Sequence, residues 1–189
     1  MPSIEGNTRR LFVAVPLPEE LGLFAQQAQA LVGHARGIRL LEPGHLHVTL
    51  AFIGRADAEK TEAARAVIRT IPVNSGGQAW VDGFLFIPSP KRARVVALRL
   101  LDDRNVLERL FELVMGRLEE SRVAQREKRP FRAHVTVARL REPGPVQPTS
   151  DCGRAPFRVE SVCLYESELL RAGARYTIIE RTGLTAATG

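Results

Sequence analysis

A chain of 189 residues with 44% hydrophobic and 25% charged side chains suffices for one large domain or two small lobes sharing a core, and its balance excludes wholesale disorder and fibrous architecture. No apolar run reaches eighteen residues, no apolar stretch precedes a small-residue cleavage site in the opening MPSIEGNTRR, and Cys152 and Cys163 are too few for a disulfide scaffold, so a cytoplasmic protein without membrane association is expected. The net charge of +6 favours a polyanionic partner such as RNA, DNA or a nucleotide, although the excess of Arg over Lys fits codon bias as well as bidentate phosphate contacts.

In chain order, residues 10–16 (RLFVAVP) read as a buried strand, being continuously apolar, partly β-branched and stopped by Pro16. A helix opens at Leu17-Pro18, with Glu19 and Glu20 suited to its first turn and Leu21, Phe24, Ala28, Leu31 and Val32 on one face, and Gly33 ends it near His34. A strand over residues 46–53 precedes a helix over 57–71, with Asp57 as N-cap and Ala63, Ala66 and Val67 facing the core. Residues 78–87 and 94–101 form a hairpin around Pro88-Ser89-Pro90 and a basic Lys91-Arg92 tip. The 3.6-residue spacing of Val106, Leu107, Leu110, Leu113, Val114 and Leu118 predicts a helix over 103–120. A strand over 131–140, a Pro/Gly-rich loop over 141–153 and strands near 157–165 and 175–181 complete the chain.

These elements repeat. The strand, helix and strand of residues 11–53 match those of 95–140 in order, and residues 81–89 align without gaps to 159–167. A duplicated pair of lobes places equivalent residues face to face across a cleft. The tetrad His47-Val48-Thr49-Leu50 recurs as His134-Val135-Thr136-Val137 at the equivalent point of the second half. Because side chains alternate along a strand, each His and Thr share one face while the aliphatic residues take the other. Two imidazoles with ordinary pKa values near 6.5 can divide the work of displacing a phosphodiester oxygen, one neutral and accepting a proton from water, the other protonated and donating to the leaving oxygen. The two hydroxyls can hold non-bridging oxygens as charge builds.

The chain resembles the 2H phosphoesterases, and among them the RNA 2′,3′-cyclic phosphodiesterases also called 2′-5′ RNA ligases. The matching pieces are residues 10–15, 45–54 and 132–139, then Tyr165-Glu166-Ser167, Gly173 and Arg175-Tyr176-Thr177. The resemblance implies a single bilobal α+β domain over residues 1–189, a pseudo-twofold duplication with two antiparallel sheets and flanking helices around a central cleft. It implies a monomeric hydrolase that opens a terminal RNA 2′,3′-cyclic phosphate to a 2′-phosphate, tRNA being one candidate substrate, with no metal and no cofactor. Carried over, His47 is the general acid, His134 the general base, and Thr49, Thr136 and Arg139 hold substrate. Strict alternation puts Arg139 on the core side with Val135 and Val137, so that role requires a bulge before it. Ala133 stands where the family commonly has proline.

The alternatives are a ligase joining tRNA halves by the reverse reaction, and a non-catalytic module that binds RNA ends. His45 beside His47 suggests a zinc pair, but no neighbouring Cys, Asp or Glu completes a ligand set. Phe12 and Phe52 are expected in the core rather than stacked on a base. Lys91, Arg92 and Arg94, and Arg126, Lys128, Arg129 and Arg132, are either RNA guides or solvated charge.

Overall fold

The computed structural model describes residues 8–32, 37–102, 104–170 and 173–186. The helix end expected at Gly33, His34, and the helix start expected at residue 103 lie outside them. Nine strands and three α-helices follow in the order β1 (Arg9–Pro16), α1 (Gly22–Val32), β2 (Ile38–Leu40), β3 (His47–Ala56), α2 (Ala58–Arg69), β4 (Gly77–Ile87), β5 (Ala93–Leu101), α3 (Val106–Glu120), β6 (His134–Gly144), β7 (Arg154–Val159), β8 (Ser161–Leu170) and β9 (Gly173–Gly183). None of these helices is long and apolar enough to cross a membrane.

The strands run β7-β4-β5-β6-β3-β1-β8-β9, all neighbours antiparallel, with β2 on β6. This path has an internal symmetry. Outward from its centre, β3, β1, β8 and β9 on one side answer to β6, β5, β4 and β7 on the other, which is the correspondence that the sequence repeat predicts for β1 with β5, β3 with β6 and β4 with β8. The two four-stranded sheets meet at one residue pair, Val48 opposite Val135, so the seam falls in the middle of the paired tetrads. Apart from the three-residue β2, which leaves the first half to pair with β6 before the chain returns in β3, the chain crosses between the halves twice, because β4 follows β3 in sequence but joins the second half, and β8 follows β7 but pairs with β1 in the first.

Burial follows the sequence patterns. Asp57 accepts the Lys60 backbone N–H at 2.8 Å and caps α2, satisfying a donor that the helix itself leaves unpaired. The core face of that helix is Thr61, Ala64, Val67 and Ile68; Ala66, expected in the core, is exposed because the buried stripe passes from Ala64 to Val67 and leaves it on the outer face. In α3 the residues Val106, Leu107, Leu110, Val114, Met115 and Leu118 pack into the main core. Its start is held by Asp102, whose carboxylate accepts the Val106 and Leu107 N–H groups at 2.5 and 3.2 Å.

Three expectations change, and one short strand was not expected. The first helix is preceded by a 3₁₀ turn at Glu19–Leu21, led in by Pro18, and α1 proper begins at Gly22. The strand expected over 131–140 is shifted to His134–Gly144, so the start of the expected loop is paired backbone: Gly144 lies opposite Ala93. The strand expected over 157–165 is two strands broken at Glu160, since its first part pairs with β4 and its second with β1, in opposite halves. Finally, β2 is only three residues long, too short to show a period, and gains its identity from pairing with Ala138, Arg139 and Leu140.

Candidate active site

The tetrads lie beside the seam. Val48, Val135 and Val137 are fully buried and Leu50 nearly so, while His47, Thr49, His134 and Thr136 alternate to the opposite face and line one cavity of about 440 Å³. Arg139 lines the same cavity. The strand bulges that its role requires are present, and they are paired. In β6, Thr136 opposes Ala97 while Ala138 opposes Val96, leaving Val137 as the extra residue. In β3, Thr49 opposes Ala14 while Ala51 opposes Val13, leaving Leu50 as the extra residue. Both bulges fall three residues after the histidine, and each reverses the alternation beyond it, so the fifth residue after each histidine turns to the cleft.

That fifth residue is Arg139 in one half and Phe52 in the other. Phe52, expected in the core, is 63% exposed for this reason. The two sheets therefore offer the same His and Thr but differ at the next cleft position, one giving a guanidinium and the other a flat apolar ring. Past Phe52 the strand adopts φ +77° at Gly54, a conformation that a side chain would strain, and Gly54 forms part of the cavity wall.

The histidines also sit in unlike surroundings. His134 is tied by Nδ1 to the Arg132 carbonyl oxygen at 2.6 Å. A carbonyl only accepts, so Nδ1 carries a proton and Nε2 is left free of that bond. His47 is packed among aromatic rings: Phe12 at 4.9 Å between centroids, Tyr176 at 5.6 Å edge-on and Tyr165 at 5.9 Å. Burial lowers its pKa from 6.5 to about 4; a hydrogen bond to the His45 backbone opposes the shift, and the nearby charges of Arg139, His45 and His134 reinforce it. His47 is thus held neutral in the free protein. Tyr165, stacked on Phe12 at 4.9 Å, is pushed up to about 12 by burial and stays a neutral phenol.

Sequence reasoning left several of these neighbours without a role. Tyr176 on β9 lies against both His45, at 4.7 Å, and His47, although β9 is separated from β3 by two strands. Its position in the piece Arg175-Tyr176-Thr177 was the sole signal. His45 occupies a 3₁₀ turn ahead of β3 rather than the strand itself. Among the described residues no three His, Cys, Asp or Glu side chains cluster as metal ligands. Cys152 is pushed up to about 11, mainly by burial, and Cys163 is also raised, so neither thiol is poised as a nucleophile.

A sequence-family model for the 2′-5′ RNA ligase superfamily matches residues 17–169. The chain belongs to that superfamily. It is 31% identical over 182 residues to the RNA 2′,3′-cyclic phosphodiesterase of Thermus thermophilus, covering 93% of this chain and 90% of that protein. The crystal structure of TT0787 from Thermus thermophilus superposes with a TM-score of 0.80 at 31% identity over 94% of this chain and 98% of its own. That of Escherichia coli LigT complexed with 3′-AMP gives a TM-score of 0.73 at 28% identity over 95% and 99%. The duplicated α+β fold is therefore the fold of these enzymes. The stretch matched by the superfamily model contains both tetrads and Arg139, whereas Arg10, Phe12 and Tyr176 of the cavity wall come from strands outside it.

Proposed function

We propose that the protein opens the 2′,3′-cyclic phosphate at an RNA end by general acid–base catalysis between His47 and His134, leaving a 2′-phosphate. The observation that carries this reading is the convergence of two equivalent His/Thr pairs, one from each half, on one cavity with Arg139 at its edge. The names of the relatives point to the same reaction. In the reaction, one imidazole takes a proton from water as its oxygen attacks phosphorus, the P–O3′ bond breaks, and the other imidazole gives its proton to O3′. Thr49 and Thr136 donate to the non-bridging oxygens as negative charge accumulates, and the Arg139 fork neutralises it. RNA is the partner; tRNA halves are one class of end carrying such a phosphate.

The order of proton transfer has two readings. The resemblance gives His47 as acid and His134 as base, which requires the bound phosphate anion to restore the proton to His47. The lowered pKa of His47 favours the reverse, with His47 already a neutral base. A cyclic phosphate with sulfur in place of O3′ separates them, because a thiolate leaves without an acid. The variant that lacks the acid, His47→Ala or His134→Ala, regains activity on the thio substrate, and the variant that lacks the base does not. The reaction itself is tested by incubating the protein with uridine 2′,3′-cyclic phosphate in excess chelator and following phosphorus by NMR. A 2′-phosphate product is expected; an unchanged substrate, or binding without turnover, supports a binding module, and a new 2′-5′ linkage on addition of a 5′-hydroxyl RNA supports the ligase.

A further inference from the structure

A second groove of about 560 Å³ opens off the histidine site and shares His134, Thr136, Arg139, Thr49 and Phe52 with it. Its far wall is the segment between α3 and β6, where Arg129, Pro130, Phe131 and Arg132 approach in sequence. Phe131 is held flat against Phe111, centroids 4.4 Å apart and 4° from parallel, so this wall is anchored to α3. The arginines along it differ in what they do. Arg126 is spent on structure: it pairs with Glu112 at 2.7 Å and lies over the Phe111 ring at 5.4 Å. Arg129, Arg132 and Arg139 are exposed, and among the described residues none of them is ion-paired, although Glu127 borders the same groove. Three uncommitted guanidiniums beside one carboxylate, along an apolar floor continuous with a phosphate-handling site, make a place for a polyanion carrying flat rings.

We propose that this groove holds the RNA on the 5′ side of the cyclic phosphate, with the terminal base on Phe52 and the preceding phosphate on Arg129. The inference rests on the hydrolase reading and adds the direction in which the strand leaves the site. Two features fix that direction. Phe52 stands where the pseudo-twofold would place a second arginine, so the cleft has a phosphate side at Arg139 and a ring-stacking side at Phe52. The basic tip of Lys91 and Arg92 lies beyond Ala93, at the end of β5 opposite Gly144, and lines neither this groove nor the histidine cavity.

The test compares uridine 2′,3′-cyclic phosphate with a uridine trinucleotide ending in the same group. Arg129→Glu raises KM for the trinucleotide about tenfold and flattens its salt dependence by about 0.7 of a logarithmic unit, one phosphate contact, while the mononucleotide is hydrolysed as by the wild type. Arg129→Lys, which keeps the charge, restores most of the trinucleotide KM. Phe52→Leu raises KM for both substrates by about fivefold without lowering kcat. Lys91→Ala/Arg92→Ala leaves both unchanged. Unaltered mononucleotide turnover by Arg129→Glu shows that the variant is folded. If Arg129→Glu affects the two substrates equally or neither, or if the Lys91/Arg92 change selectively weakens the trinucleotide, the strand takes another path and the inference is wrong. A wild-type protein that opens neither substrate overturns the hydrolase reading as well.

Discussion

The two halves of the molecule carry the same tetrad, the same bulge three residues beyond its histidine and the same order of strands outward from the seam, yet they do not present the same chemistry. In the half built on β3, the imidazole is packed among Phe12, Tyr165 and Tyr176 and loses its proton well below the usual histidine range; in the half built on β6, the imidazole is tied to the Arg132 carbonyl. At the next cleft position one half offers Phe52 and the other Arg139. Duplication thus supplies two imidazoles at matched positions, which the proposed mechanism uses as proton carriers. The residues that differ around them make the two imidazoles unequal, which suits the proposed division of the pair into acid and base.

The largest effect comes from removing either carrier. His47→Ala and His134→Ala are each expected to lower kcat on a cyclic mononucleotide by about 10²–10⁴-fold, and the double variant by much less than the product of the two, because the pair acts as a unit. Steady-state kinetics that found one histidine dispensable would break the comparison. Next is a stability effect confined to the first half. In the folded protein His47 stays neutral down to about pH 4, whereas in the unfolded chain it binds a proton below about 6.5, so the unfolded state gains protons first and stability falls as pH is lowered through that window. The loss is about 3 kcal/mol at most, complete near pH 4, and urea denaturation of His47→Gln should show it removed.

A smaller effect probes the other half. Arg139→Lys keeps the charge but loses the planar fork, so kcat/KM should fall about tenfold with stability unchanged. The smallest expected effect concerns how each half starts its helix: α3 relies on the Asp102 carboxylate, whereas α1 is led in by Pro18 and the 3₁₀ turn. Asp102→Ala should cost about 1 kcal/mol by chemical denaturation, leaving turnover of the mononucleotide intact.

Much of this arrangement is legible in the sequence because it is local. The tetrads announce themselves as a repeat, alternation assigns their faces, and a requirement that Arg139 reach the cleft is enough to demand the bulge that β6 shows. The same reasoning failed at Phe52, where an aromatic in a strand reads as core unless the matching bulge in β3 is recognised. What stayed hidden is non-local. Tyr176 reaches His47 across two intervening strands, the break at Glu160 exists because the flanking residues pair in opposite halves, and the groove wall at Phe131 depends on a ring in α3. No period or motif within a single segment encodes contacts of that kind.

Whether two unequal histidines share one proton-transfer cycle is read from the pH dependence of kcat/KM on uridine 2′,3′-cyclic phosphate. The expected profile is a bell whose limbs belong to the pair, with the acidic limb displaced well below 6.5 by the burial of His47, and with Tyr176→Leu moving that limb upward by opening the site to water. A rate that is flat from about pH 4 to about pH 8, or an acidic limb that stays in place when Tyr176 is removed, would contradict it.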